Sequence, residues 1–344
     1  MMQKRYSNIP GSWLLILMVL IFSGCESILF IELEEADKLI VVSGAITNDT
    51  VAIQISRTRH ILDNAPVVPL ENATVRLLQG GSLIDELTYI ENGYFLAADF
   101  IPQIGERYTI EVENAGYPAV TATSAIPEPV PIEALDTTSR IIEYDDGWGT
   151  WTEEYLQFDL TINDPQGEDN YYLLTAETDR SRTEYMGDIT VTVLDSFYYG
   201  GQWNYQLRDS TYAVYEIQRY TDYPYISSED IVVEALTSHG ILFSDQLIDG
   251  KTYSFRGQFD YHQLRSADSA VVDLRLQSIS ESYYKYLKSR EKHYNTKDNY
   301  LAVPVIVYSN VTDGAGFFGG FSQDEQTFTT FIPEYGREYW YPEY

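Results

Sequence analysis

The chain has one cysteine in 344 residues, Cys25, so no disulfide can close within it and no thiolate metal cluster can be built. Histidine is nearly as scarce. His60, His239, His262 and His293 stand singly, with no H-E-x-x-H and no paired Cys/His spacing. No G-x-S-x-G occurs either, which removes the nucleophile elbow of one large hydrolase class. Basic side chains number 22 against 52 acidic ones, a formal charge of −30, and no basic stripe offsets that balance locally. A field of this sign repels phosphate backbones, so nucleic acid is not expected as a partner. Long apolar runs are missing but for one, the ten residues from Trp13 to Phe22. As a helix rising about 1.5 Å per residue they span roughly 15 Å, half of a bilayer core of about 30 Å, too short for a permanent transmembrane helix.

That run has a different meaning. Lys4 and Arg5 precede it and Ser23-Gly24-Cys25 follow it, the layout of a cleavable export signal over residues 1–24. Small residues directly before a cysteine look like the lipobox of bacterial lipoproteins, with Phe22 standing where leucine is usual. The likeness implies that Cys25 is lipidated and heads the mature chain, anchored by more than one acyl chain, since a single one holds a membrane only marginally. Loss of Lys4 and Arg5 leaves 20 basic and 52 acidic side chains, a formal charge of −32. Residues 25–37 then read as a short acidic linker.

From Leu39 the apolar period becomes two. LIVVSGAIT and VAIQIS read as strands about the Asn48-Asp49 turn, followed by ATVRLL, SLIDELTY, GYFLAA, RYTIEVEN and AVTATS, with Gly80-Gly81 and Asn92-Gly93 as turns. Seven short strands at this spacing predict an antiparallel sandwich over residues 38–126, similar to immunoglobulin-like or transthyretin-like modules. Three prolines within residues 127–131 mark a linker. Residues 132–344 read as a larger antiparallel β-rich domain with one main helix. In it YLQFDLTIND alternates through Leu156, Phe158, Leu160 and Ile162, and NYYLLTAET reads as its hairpin partner across Asp164-Pro165-Gln166-Gly167. DITVTVLDSFYY, QWNYQL and TYAVYEIQ are strand candidates around Gly200-Gly201. The helix is expected over residues 280–297, with Ser280 as its N-cap and Tyr283, Leu287 and Tyr294 along its apolar stripe. The fold class is thus mainly β.

Few motifs carry chemistry. Gly314-Ala-Gly316-Phe-Phe-Gly319 matches the dinucleotide fingerprint but follows a turn, opens no helix and lies in an antiparallel setting, so a glycine-kinked strand is the better reading. Asn163 to Asp169 supplies oxygens of the kind calcium takes but lacks EF-hand spacing, and reads as a hairpin turn. The sequons at Asn48, Asn72 and Asn310 read as coincidental. Asp145-Asp146 beside Trp148 and Trp151 is the most suggestive cluster, because indole faces stack on sugars and on partner surfaces alike. The C-terminal run holding Tyr339, Trp340 and Tyr341 is a second candidate contact. No catalytic residue, cofactor or metal site is expected.

Several stretches together carry a family resemblance: Cys25-Glu-Ser with the acidic residues after it, LIVVSGAITND, Pro129-Val-Pro-Ile132-Glu, SISESYYKYLKS and VYSNVTDGAGFFGGFS. The chain resembles a family of two-domain outer-membrane lipoproteins of Bacteroidota encoded beside TonB-dependent receptors. The resemblance implies a non-enzymatic accessory lipoprotein, anchored to the outer membrane through Cys25 and facing the cell surface, with a TonB-dependent receptor as partner and nutrient or peptide uptake as its task. The alternative expectation is a free-standing adhesive, structural or glycan-binding surface lipoprotein.

Overall fold

Alternation and turn chemistry act together in the front half of the chain. In the computed structural model, which describes residues 37–331 apart from 60–65, 99, 146, 238–239, 261–268, 298 and 300–302, this half forms nine strands. They are β1 (Ile40–Ile46), β2 (Val51–Arg57), β3 (Val68–Pro69), β4 (Thr74–Gln79), β5 (Ser82–Glu86), β6 (Thr88–Tyr89), β7 (Tyr94–Leu96), β8 (Arg107–Glu113) and β9 (Val120–Ala125). Asn92 and Gly93 take positive φ at the predicted turn, which lets the chain reverse between β6 and β7. Alternate residues of β1, β2, β4 and β8 enter one core with Val42, Ile53, Leu77 and Ile110 fully buried. Signal, acidic linker, Cys25 and the aromatic C-terminus lie outside the described residues.

The rest of the chain comprises β10 (Ile132–Asp145), β11 (Thr150–Asn163), β12 (Tyr171–Tyr199), β13 (Gln202–Asp222), β14 (Ile226–Ser227), β15 (Val233–Thr237), β16 (Gly240–Ser244), β17 (Thr252–Asp260), β18 (Ser269–Ile279), helix α1 (Glu281–Thr296), β19 (Val311–Thr312) and β20 (Ala315–Phe331). The chain is mainly β, with a single α-helix among the described residues. A four-stranded sheet in the order β10-β11-β17-β14 packs its apolar face on a second sheet containing β15-β16-β12-β18-β20. Between them Phe158, Leu160 and Phe255 meet Tyr172, Leu174 and Phe243 in a second core. Leu173, on the opposite face of β12, packs with Tyr284 and Leu287 of α1, so β12 is covered on both sides here and its run Tyr-Tyr-Leu-Leu is apolar without alternation.

Three expectations are corrected. β11 and β12 are not hairpin partners: β11 pairs β10 and β17, whereas β12 pairs β13, β16 and β18, so Asp164 to Asn170 carries the chain from one sheet to the other. The stripe of α1 is formed by Tyr284 and Leu287 with Tyr283 and Tyr286 beside them, while Tyr294 is exposed. The glycine-rich segment is not in a purely antiparallel setting. Ala315 to Gly320 of β20 pair in parallel with β1, and Phe321 to Phe331 pair antiparallel with β18, so one strand continues the sheet from the front core to the rear.

Side-chain volume explains those glycines. A Cβ on Gly316, whose φ is +100°, would lie 1.9 Å from the Val42 carbonyl oxygen, and one on Gly320 would lie 2.0 Å from that of Ala125. Around this seam Asn310 donates from Nδ2 to the carbonyls of Thr123 (3.1 Å) and Phe318 (2.8 Å) and accepts from Phe318 N–H (2.9 Å). Ser280 Oγ, at the N-cap of α1, accepts from Tyr283 N–H (3.4 Å), Gly320 N–H (3.0 Å) and the Ser124 hydroxyl (3.1 Å). One hydroxyl therefore ties the helix, β20 and β9 together. The described residues from Lys38 onward form one compact unit.

Candidate functional site

Strand length is where the chain departs from ordinary sandwich construction. β18 accompanies β12 only as far as Ser181, and from Arg182 to Tyr199 the only described strand beside β12 is β13. Eighteen residues at about 3.4 Å each give a two-stranded ribbon about 60 Å long. The Gly200-Gly201 turn closes it, both residues at positive φ. Side chains directly opposed across an antiparallel pair share a face, so Leu194 with Leu207 and Tyr198 with Trp203 lie on one side, and Ile189 with Tyr212 on the other. Tyr198 and Trp203 meet edge to face at 5.5 Å. All six are exposed. From Ile189 to Leu207 the only charged side chain is Asp195, in a chain that is 22% charged. Aromatic enrichment with loss of charge is the composition of an interface core.

A second feature grows from the β10–β11 hairpin. The even-numbered residues of β11 from Leu156 to Ile162 fill the core, so by alternation Trp151, Glu153, Tyr155, Gln157 and Asp159 lie on the opposite face, each beside a residue of β10. Tyr144 and Trp151 stack across the pair with centroids 5.6 Å apart and planes 17° from parallel. The Tyr155 hydroxyl donates to Glu153 Oε2 (2.5 Å), a bond that pushes its pKa up and keeps it protonated. Next to this aromatic pair the outer face of the sheet is hollowed into a depression of about 540 Å³. Its floor holds Gln157 beside Gln258, and Asp159 bound in a fork by Arg256, Nε at 2.6 Å and Nη2 at 3.1 Å. Bonding to Asp159 raises the Arg256 pKa further. At the rim the Tyr253 hydroxyl donates to Asp230; burial, then this bond, pushes its pKa up to about 12.

Of the residues singled out from the sequence, Trp151 therefore lies on an organised surface and Trp148 stands at the hairpin tip, 97% exposed. Asp145 accepts from Gly147 N–H (2.8 Å) and shapes that tip. Asp146, Tyr339, Trp340 and Tyr341 lie outside the described residues, as do His60, His239 and His262. His293 is described, its Nδ1 2.8 Å from the Val305 carbonyl oxygen.

Carboxylates also converge where the chain crosses between sheets. One oxygen each from Asp164, Asp245 and Asp249 lie within 4.8 Å of one another. Internal donors already engage all three. Tyr172 OH (2.5 Å) and Gly250 N–H (3.0 Å) donate to Asp164, Asn170 N–H (2.7 Å) to Asp245, and Gly167 N–H (2.8 Å) to Asp249. Burial raises the pKa of Asp164 and of Asp245, against the lowering effect of those bonds. The arrangement folds two loops onto each other, engaging both oxygens of Asp164 and one each of Asp245 and Asp249.

No helix among the described residues is long and apolar enough to cross a membrane. A family model described as a domain of unknown function (DUF4249) matches residues 26–327. No curated protein matches the sequence.

Proposed function

The chain belongs to the DUF4249 family, and on that premise we propose that it is a non-enzymatic accessory lipoprotein of Bacteroidota, anchored to the outer membrane through Cys25, that docks on a TonB-dependent receptor and assists uptake of a nutrient or peptide. The observation that carries this reading is the ribbon of β12 and β13. A two-stranded ribbon alone in water is marginally stable at best, and one with apolar side chains on both faces gains by being covered. A reach of about 60 Å lets a protein tethered at its front end meet a neighbour embedded in the same membrane. Scarcity of charge on the distal ribbon, Ile189 to Leu207, supports docking on a protein surface, because desolvating that part costs little.

The test is co-purification. With a C-terminal tag and mild detergent, the wild-type chain retains a TonB-dependent receptor in stoichiometric amount. A variant in which Asp188 is joined to its cross-strand partner Ala213 through an Asn-Gly turn, removing the distal ribbon, loses it. Recovery of the wild-type chain alone, with lipidation of Cys25 confirmed, refutes the receptor reading. Retention of the receptor by the shortened variant refutes the role given to the ribbon.

A further inference from the structure

We propose that the outer face of the sheet β10-β11-β17-β14 binds a neutral oligosaccharide, with the Tyr144–Trp151 pair as its stacking platform and Gln157, Gln258 and Arg140 as its hydrogen-bonding floor. The proposal rests on the uptake reading above and names the class of ligand.

Geometry and chemistry agree on this class. Gln157 and Gln258 are directly opposed across β11 and β17, so their amides stand side by side on one face. Neither amide, nor the Arg140 guanidinium, makes a hydrogen bond or ion pair within the described residues, although both glutamines are half-buried in the depression. A planar amide offers a donor and an acceptor side by side, which is the pattern that two neighbouring hydroxyls of a sugar ring present in return. The aromatic pair at the end of the depression supplies a flat apolar surface for the C–H face of such a ring.

Other ligand classes fit less well. With Asp159 and Arg256 neutralising each other, what remains is Arg140 against Glu229 and Asp230, a balance that does not select an anion. The floor is too polar for a lipid or an apolar small molecule, whose pockets are mostly hydrophobic. An extended peptide is ordinarily held by backbone bonds at a sheet edge, whereas Gln157 and Gln258 project from the two central strands, β11 and β17.

The experiment is affinity electrophoresis of the detergent-solubilised full chain through gels containing dextran, xylan, laminarin or galactomannan. At least one of these polysaccharides retards the wild-type protein. Trp151→Ala and Gln157→Ala each weaken that retardation about tenfold or more, the scale of losing an anchor from a small site. Tyr94→Ala, an exposed aromatic on another sheet, does not. Far-UV circular dichroism confirms that each variant is folded, and Arg140→Ala, on an exposed side chain, gives an independent loss. Absence of retardation in all four gels overturns the proposal, as does retardation that survives both substitutions. Binding of casein-derived peptides that depends on the same residues, without any polysaccharide binding, overturns it in favour of a peptide site. The receptor takes no part in this assay, so failure here and failure of the receptor reading are separate results.

Discussion

Replacing Ser280 with alanine tests whether the seam between the two cores depends on one hydroxyl. Ser280 is buried, caps α1 and accepts from Gly320 N–H at 3.0 Å and from the Ser124 hydroxyl at 3.1 Å. Loss of the cap alone costs about 1 kcal/mol. Gly320 lies beside Ile46 of β1 and Ala125 of β9 where β20 crosses from one core to the other, and leaving its buried N–H without an acceptor costs a further 1–3 kcal/mol or so. The expected total is about 2–4 kcal/mol. For roughly 300 ordered residues at about 2.1 cal/mol/K each, that lowers Tm by about 3–6 °C. Urea unfolding should show the midpoint falling with an unchanged slope, because the surface exposed on unfolding is the same. Ser282→Ala is the comparison: Ser282 Oγ lies 3.1 Å from Ser280 Oγ and 3.4 Å from both the Phe318 carbonyl oxygen and Ser124 Oγ, but none of these bonds takes a backbone N–H, so its loss is expected to be smaller. A Ser280→Ala loss below about 1 kcal/mol, or equal losses for the two serines, would refute the seam as described.

Four further perturbations follow from the packing. Gly316→Ala places a Cβ 1.9 Å from a backbone oxygen at a φ of +100°, so a loss above about 4 kcal/mol is expected, whereas Gly80→Ala, with open space around it, costs only the left-handed penalty of about 1–2 kcal/mol; thermal melts compare them. Phe158→Ala empties the rear core and costs about 3–5 kcal/mol by urea unfolding. Because a Cβ on Gly257 would lie 2.2 Å from the Phe158 ring, Gly257→Ala is destabilising alone and less so beside Phe158→Leu, a coupling that a double-mutant cycle reads directly. Asp164 and Asp245 have pKa values raised by burial above the ordinary Asp value of about 3.9, so their ionisation opposes folding. Their contribution improves as pH falls from neutral through the raised values and levels off below the unfolded value. Asp164→Asn should flatten that part of the pH–stability curve, whatever it does to absolute stability; an unchanged slope would remove Asp164 from the account.

Local chemistry was legible and partnership was not. β1, β2, β4 and β8 follow from alternation of Val, Ile and Tyr, and the turns between strands follow from Asn92-Gly93 and Gly80-Gly81, where φ must be positive. Ser280 as the start of α1 follows from capping chemistry within three residues. Asn163 to Asp169 was misread as a hairpin because a turn between two paired strands and a crossing between two sheets call for the same residues. What distinguishes them is that β11 finds β17 and β12 finds β18, about a hundred residues away in each case. Pairing of β20 with β1, close to three hundred residues apart, is likewise invisible to any local period, and its glycines imitate a nucleotide motif because both need backbones to approach closely.

The same limit explains the candidate sites. Trp151, Glu153, Tyr155, Gln157 and Asp159 can be read as an outward row from the parity that Leu156, Phe158 and Leu160 set on β11, although Thr152 and Glu154 nearer the tip are polar. That row becomes a depression only when β17 brings Arg256 and Gln258 alongside and β10 brings Arg140 and Tyr144. The ribbon differs in kind. Its two strands adjoin in sequence, and its signal was present as nineteen residues with one charge between Ile189 and Leu207. Seen beside Gly200-Gly201 that run specifies a hairpin, but only the end of the β18 pairing at Ser181 shows that, among the described residues, β13 is the one strand beside β12 from there on. An apolar segment inside a sheet needs no partner. The same segment beyond the last neighbouring strand does, and for this reason the ribbon, more than any pocket, directs the functional reading toward another protein.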